Sequence, residues 1–200
     1  PIILMLLGLI FRGVAFEFRF RTVRWRGLWD WGFAVGSIVA TAMQGMALGA
    51  LIQGIRIENR QYAGGWWDWL TPFSLTTAVG LLFGYALLGA CWLNLKTHGE
   101  LQAKARRIAM VTAVGTLAFI GVVSLWTPFL EPIYFQRWFA WPTAFFSAFV
   151  PLLLAVCGVA LWWGLTRDGH LLPFLAALGL FILSFAGIGI SFFPYIVPGA

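Results

Sequence analysis

Six stretches of almost continuous apolar sequence, separated by short polar linkers, define the pattern of this chain. A helix needs about 20 residues to cross the roughly 30 Å hydrocarbon core of a bilayer, and all stretches but the first are long enough. Because these runs do not alternate in polarity, they predict transmembrane helices rather than barrel strands. The runs cover residues 1–17, 33–55, 72–95, 108–127, 142–165 and 171–193.

The expected fold class is therefore all-α, a polytopic transmembrane helix bundle that forms a single domain over residues 1–200. Composition agrees, since 61% of the residues are hydrophobic, 10% are charged and the mean hydropathy is +0.88. Soluble domains are nearer to about 45–50% apolar and about 25% charged. The formal net charge of +6 does not indicate a nucleic-acid partner, because the basic residues lie in short linkers between apolar runs.

The basic residues also predict the orientation. Nine of the 13 lysines and arginines lie in the linkers 18–32, 96–107 and 166–170, whereas three lie in the linkers 56–71 and 128–141. Cytoplasmic loops carry the excess of positive charge, so we expect the first set of linkers in the cytoplasm. The remaining basic residue is Arg12, inside the first apolar run.

Small and aromatic residues indicate how such a bundle would pack and sit in a bilayer. Gly45 and Gly49 are four residues apart, as are Gly80 and Gly84, a spacing that lets membrane helices approach closely. Gln44 and Gln53 are expected to form hydrogen bonds between helices. The tryptophan-rich segments 63–72 and 135–142 are expected at the headgroup level.

Residues that would hold a cofactor or perform catalysis are scarce. The two histidines, His98 and His170, lie in linkers, whereas a haem inside a helix bundle needs an axial ligand from the helices. Phosphate-binding loops, metal-spaced clusters and nucleophile–base pairs are not found in the sequence. We expect this segment to bind no haem or metal and not to be an enzyme alone.

Three charged residues near the first two helices are the candidate functional set. A charge at the centre of a membrane helix costs about 2.5–3.5 kcal/mol on insertion scales, so Arg12 calls for an explanation. Glu17 follows about 7–8 Å further along the helix axis. In one interpretation, the Arg12 side chain extends to the membrane interface or pairs with a neighbouring carbonyl or acid, and Glu17 is hydrated at the interface. In the other, both line an internal polar path in which Glu17 takes up protons. Asp30 either caps the second helix or takes part in proton entry.

Several motifs, taken together, carry a family resemblance. The chain resembles subunit II of the cytochrome bd quinol oxidases over nearly its whole length. The motifs are Phe11-Arg12-Gly13-x-x-Phe16-Glu17-Phe18-Arg19, Trp29-Asp30-Trp31-Gly32, Gln53-Gly54, Leu95-Lys96-Thr97-x-Gly99-Glu100 and Phe193-Pro194-Tyr195-Ile196-Val197-Pro198.

The resemblance implies a haem-free subunit of a respiratory quinol:oxygen oxidoreductase in the inner membrane of a prokaryote. That family has nine transmembrane helices, and this segment resembles the third to the eighth, truncated at both ends. Haems b and d and the quinol site are expected in the partner, cytochrome bd subunit I. Membrane lipid, a structural quinone and a small accessory subunit are further partners that the family allows.

The same resemblance assigns roles to the charged set. Arg12 and Glu17 match the intramembrane arginine and carboxylate of the family motif, and Asp30 matches its Trp-Asp-Trp aspartate. They are expected on a proton path from the cytoplasm or at the subunit interface. Two alternatives stay open: a secondary transporter in which Arg12 binds an anionic solute, and a membrane assembly scaffold whose polar residues only pack.

Overall fold

The computed structural model describes residues 1–22, 24–54, 57–58, 61–130 and 143–192. Within these ranges the chain is built from six long helices, joined end to end by short linkers. The helices are α1 (Ile2–Arg21), α2 (Arg26–Ile52), α3 (Pro72–Lys96), α4 (Glu100–Trp126), α5 (Thr143–Thr166) and α6 (Leu171–Phe192). A 3-10 turn, Thr127–Phe129, continues α4. The all-α prediction is confirmed.

Several helices are longer than their apolar runs. α1 continues to Arg21, α2 already begins at Arg26 and α4 begins at Glu100, so the predicted linkers 18–32 and 96–107 are mostly helical. Hydropathy marks only the part of a helix that lies in hydrocarbon, and charged residues continue the helix where water is present. Gly99, with a φ of 68°, makes the break between α3 and α4.

A small β-ribbon lies between α2 and α3, which the apolar pattern did not predict. Ile57–Glu58 pairs antiparallel with Gln61–Tyr62. A turn over the tryptophan-rich segment follows, in which Trp66 is 92% exposed. α3 then begins with a capping box between Thr71 and Ser74. The other tryptophan-rich segment, 135–142, lies outside the described residues, as does the Phe-Pro motif at 193–198.

Consecutive helices run antiparallel and pack as neighbours. α3, α4, α5 and α6 form a four-helix bundle, α2 packs on α3, and α1 packs on α2. The α1–α2, α3–α4 and α5–α6 linkers therefore lie at one end of the molecule, here called the basic end. The buried core of the four-helix bundle contains Leu87, Ala90, Cys91, Ala109, Ala113, Leu161, Leu165, Ala176, Ala177 and Leu180.

The predicted glycine contact between α2 and α3 is confirmed. A methyl group added at Gly45 would lie 2.5 Å from the Cα of Ala78, and one at Gly49 would lie 2.6 Å from the Cα of Ser74. Both distances are too short for any side chain, so the two backbones touch here. Gly80 and Gly84 instead leave room for aromatic side chains, those of Phe119 and Phe181.

The predicted glutamine hydrogen bonds between helices are also present. The hydroxyl of Tyr85 on α3 donates to Gln44 Oε1 on α2 at 3.1 Å. The hydroxyl of Thr71, at the start of α3, donates to Gln53 Oε1 just after α2. These bonds fix the register of the same helix pair that the glycines bring together.

Five helical segments are long and apolar enough to cross a membrane. They are Arg26–Ile52, Pro72–Lys96, Glu100–Phe129, Ala148–Thr166 and Leu171–Ile190. α1 is not in this set, because Arg12, Glu17, Arg19 and Arg21 interrupt its apolar sequence. The charged residues of α4, by contrast, are confined to its first eight residues and leave a long apolar stretch after them.

Candidate functional site

The position of Arg12 is set by a close crossing of α1 and α2. A methyl group on Gly36 would lie 2.8 Å from the carbonyl oxygen of Gly8 and 3.1 Å from the backbone nitrogen of Arg12. The two helices therefore touch directly beside Arg12. Its guanidinium lies over the ring of Phe33, with Cζ 5.1 Å from the ring centroid. Such a contact is worth about 0.5–1 kcal/mol where it is exposed, and Arg12 is exposed.

Glu17 lies on the exposed surface of the same helix. Within the described part of the chain, its carboxylate forms no recorded hydrogen bond or ion pair. The interval of five residues places it about 7–8 Å along the axis from Arg12. Glu17 is thus a carboxylate whose oxygens face outward from α1.

Asp30 lies within the second turn of α2, because that helix begins at Arg26. The N-cap position is occupied by Trp25, which forms no side-chain cap. The alternative that Asp30 caps α2 is therefore wrong, and the cause is the earlier start of the helix. Asp30 instead pairs with Arg19 of α1, and the two side chains are 51% and 45% exposed.

Trp29 lies next to this ion pair. Its ring stacks on Phe18 of α1 with a centroid distance of 5.1 Å. Its indole N–H is buried and has no hydrogen-bond partner among the described residues. The loop end of the α1–α2 hairpin thus holds one ion pair, one aromatic stack and one unused donor.

The structure does not bring the three predicted residues together. Arg12 contacts Phe33 and Asp30 contacts Arg19, while Glu17 faces outward. All three lie on the surface of the hairpin and outside the core of the four-helix bundle. A polar path along them would need another polypeptide segment to close it.

Sequence reasoning missed a polar latch at the basic end, formed by Asn94, Gln102, Arg106, Asp168 and His170. Asn94 is 1% exposed and donates from Nδ2 to the carbonyl of Gly169 at 3.1 Å. Gln102 Nε2 donates to the carbonyl of Asn94 at 2.9 Å and lies 3.0 Å from His170 Nδ1. Both histidines lie in linkers, as predicted.

Arg106 completes this polar latch. Its Nε donates to the carbonyl of Leu165 near the end of α5, and its terminal nitrogen pairs with Asp168. Asp168 has a φ of 56°, a left-handed conformation that aspartate tolerates better than most residues. The latch binds the end of α3 and the start of α4 to the α5–α6 turn. The sequence showed only a run of basic residues here, although Asp168-Gly169 is a turn signal.

An apolar cavity of about 170 Å³ lies among α2, α3, α4, α5 and α6. Five hydroxyl side chains line it, and four of them, those of Thr77, Thr116, Thr127 and Ser184, donate to carbonyls of the preceding helical turn. Thr77 donates to Phe73, Thr116 to Thr112 and Ser184 to Leu180, at 2.8, 2.8 and 2.7 Å. The cavity therefore presents an apolar surface suited to a hydrocarbon chain.

Metal-ligating side chains do not cluster in the described ranges, where no group of three or more histidine, cysteine, aspartate or glutamate side chains converges. His98 and His170 are exposed in linkers at the basic end, and neither lies within a helix.

Comparisons with known proteins agree with the resemblance. The family model described as "Cytochrome bd terminal oxidase subunit II" matches residues 1–200. The chain is 35% identical over 131 residues to "Cytochrome bd-I ubiquinol oxidase subunit 2" of Escherichia coli, an alignment of 62% of this chain and 35% of that protein. It is 30% identical over 129 residues to "Cytochrome bd ubiquinol oxidase subunit 2" of Bacillus subtilis, covering 61% and 38%.

A third relative, "Probable cytochrome oxidase subunit 2" of Haemophilus influenzae, is 31% identical over 132 residues. The matched part of the chain spans only about a third of the length of these relatives. With five helices able to cross a membrane, these similarities indicate a multi-pass bacterial membrane protein.

Proposed function

The chain belongs to the cytochrome bd terminal oxidase subunit II family, and from this premise we propose that it is part of a quinol:oxygen oxidoreductase. In this proposal it is the haem-free subunit, which stabilises subunit I and contributes to proton delivery from the cytoplasm. Haems b and d and the quinol site belong to subunit I, and the complex lies in the inner membrane. When bound in subunit I, the haems supply the electron transfer to oxygen.

One observation carries the partner proposal. Arg12 and Glu17 are exposed on α1, a largely apolar helix that packs mainly against α2. Charges that face hydrocarbon are costly, so membrane proteins cover them with polypeptide or water-filled cavities. The outer face of α1 is therefore proposed as a surface that another polypeptide covers. Subunit I supplies that cover, alone or together with further segments of the parent protein.

The proton-delivery proposal rests on the order of the charged groups. Asp30 and Arg19 lie at the basic end, where water reaches them, and Glu17 lies nearby on α1. Glu17 has no recorded hydrogen-bond or ion-pair partner in the described chain, so its oxygens are free to exchange protons with groups that cover α1. Arg12 lies on the same helix, about 7–8 Å from Glu17 along the axis and further from the basic end.

Substitution of Glu17 tests the proton role directly. Glu17→Gln in the full-length parent protein, purified as the complex, removes the titratable group and keeps the size. We expect quinol-driven oxygen uptake per haem to fall at least about tenfold, a smaller loss than the roughly 10²–10⁴-fold that general acid–base groups contribute. Haem content should not change. Glu100→Gln is the matched control, an exposed glutamate at the basic end in the first turn of α4.

Turnover of Glu17→Gln equal to that of the control would remove Glu17 from proton delivery. It would leave the subunit assignment intact, because that assignment rests on complex formation. Equal losses of haem and activity would instead favour the scaffold alternative. Solute uptake by the protein in liposomes, without quinol or oxygen, would favour the transporter.

For the cavity we propose a hydrocarbon occupant, the tail of a structural quinone or a lipid. The apolar lining supports this, since four of the five lining hydroxyls are already bonded to backbone carbonyls of their own helices. Ile188→Trp fills the cavity from α6, and Ile182→Trp places the same ring at an exposed site on that helix. Mass spectrometry of extracts should show less co-purified quinone or lipid for Ile188→Trp only. Equal retention in both variants would overturn the cavity assignment.

A further inference from the structure

A cation and two aromatic rings lie along the outer line of contact between α3 and α6 at the basic end, and this contact line is here called a groove. Lys96 ends α3, and its Nζ lies 5.2 Å from the ring centroid of Trp92. The Trp92 ring in turn lies 5.3 Å from the ring of Phe174 on α6. Trp92 is 47% exposed, so this arrangement is on the outside of the bundle. These three residues do not line the internal cavity, although Phe181 further along α6 does.

The groove continues toward the middle of the bundle. Seven residues before Trp92, Tyr85 stacks on Phe181 of α6 with a centroid distance of 5.5 Å and an interplanar angle of 13°. Seven residues is about 10.5 Å along a helix, and residues seven apart share a face. The groove, called here the α3–α6 groove, therefore has a cation at its mouth and aromatic rings along its length.

Charge at the mouth of the α3–α6 groove is not compensated by the described chain. Asp30 pairs with Arg19 and Asp168 pairs with Arg106, so two carboxylates of the basic end are already engaged. Glu100, across the Gly99 break, forms no recorded ion pair with Lys96. The recorded contact of the Lys96 ammonium is the Trp92 ring, which leaves its hydrogen-bond donors available to an anion.

We propose that the α3–α6 groove binds an anionic phospholipid. The Lys96 ammonium binds the phosphate, and an acyl chain lies along the Trp92–Phe174 and Tyr85–Phe181 pairs. The Lys96 ammonium has the opposite charge to a lipid phosphate. It also lies at the same depth in the membrane, because a lysine at a helix end extends to the headgroup level, which indole rings also prefer. Basic residues next to a membrane attract anionic lipid.

Native mass spectrometry of the full-length parent complex tests this proposal. The complex is released from detergent after titration with phosphatidylglycerol, or with phosphatidylcholine as the zwitterionic probe. Lys96→Gln should lower the retained phosphatidylglycerol at least threefold. Lys104→Gln, an exposed lysine at the same end with no aromatic contact recorded in the described chain, should retain it as the unaltered protein does.

A second variant, Trp92→Leu, keeps an apolar side chain but removes the ring beneath the ammonium. It should also reduce retention of phosphatidylglycerol, with unchanged helical circular dichroism showing that the fold persists. Equal losses in Lys96→Gln and Lys104→Gln would overturn a defined site in favour of diffuse attraction. Equal retention of the two phospholipids, or a polypeptide bound in the groove instead of lipid, would also overturn it.

Discussion

Arg19, in the last turn of α1, forms an ion pair with Asp30, in the second turn of α2. The pair closes the loop end of the hairpin, beside the stack of Phe18 on Trp29. Asp30 thus has a structural role in joining the two helices. Any contribution of Asp30 to proton entry starts from a carboxylate already next to an arginine.

Asp30→Asn separates the two roles. Because both side chains of the ion pair are about half exposed, its loss should cost only about 0–1 kcal/mol of stability. The thermal melting of the full-length complex should therefore change little, whereas oxygen uptake per haem should fall if Asp30 passes protons. The control is Arg21→Gln. Arg21 is an exposed cation in the last turn of α1, beside Arg19, and it forms no ion pair in the described chain. A large loss of stability in Asp30→Asn but not in Arg21→Gln would show that the ion pair stabilises the protein by more than this amount.

Gly45→Ala should destabilise the protein, because its methyl group would lie 2.5 Å from the Cα of Ala78. Forcing the α2 and α3 backbones apart should cost about 1–3 kcal/mol. The matched control is Gly89→Ala on α3, where a methyl group meets nothing within 4 Å. That change should be neutral or stabilising by up to about 1 kcal/mol, since alanine favours helix. Thermal unfolding followed by circular dichroism compares the two, and equal melting temperatures would refute the close contact.

Arg106→Gln should loosen the polar latch. The substitution removes the cation paired with Asp168 and the donor to the Leu165 carbonyl, at an expected cost of about 1–3 kcal/mol. Hydrogen exchange should become faster in the α5–α6 turn. Arg107→Gln, an exposed neighbour without an ion pair in the described chain, should leave exchange unchanged. Identical exchange in the two variants would show that the latch does not hold the turn.

Arg12→Met tests whether another polypeptide covers α1. In the full-length subunit alone in detergent, this change should cost no more than the contact with Phe33, about 0.5–1 kcal/mol, and it removes a group that is costly in hydrocarbon. If a partner binds the guanidinium, the same change should lower the yield of haem-bearing subunit that co-purifies. Phe11→Met, an exposed neighbour without charge, serves as the control. Full recovery of the partner with Arg12→Met would place the subunit contact elsewhere.

The features predictable from sequence were those set by local pattern. Apolar runs located the helices, and the spacing of Gly45 and Gly49 identified a true backbone contact. Helix ends were less accessible, because hydropathy does not register charged turns that remain helical, such as the start of α2 at Arg26. That error produced the wrong cap for Asp30.

Long-range pairings were not predictable in the same way. The hydrogen bond from Asn94 to the carbonyl of Gly169 joins positions 75 residues apart. The residues around Asn94 do not indicate that Gly169 is its partner, and those around Gly169 do not indicate Asn94. The aromatic pairs of the α3–α6 groove likewise depend on which helices become neighbours. The outward position of Glu17 also required the structure, since an apolar helix can turn a charge toward its core or away from it.

The most direct test of the central claim is to isolate the tagged full-length parent protein from native membranes. The eluate is examined by reduced-minus-oxidised spectroscopy for haems b and d and assayed for quinol-driven oxygen uptake. We predict that both signals are present and that both disappear when the partner subunit is stripped away. A pure protein without haem-bearing partner or oxygen uptake would contradict its assignment to a quinol oxidase complex.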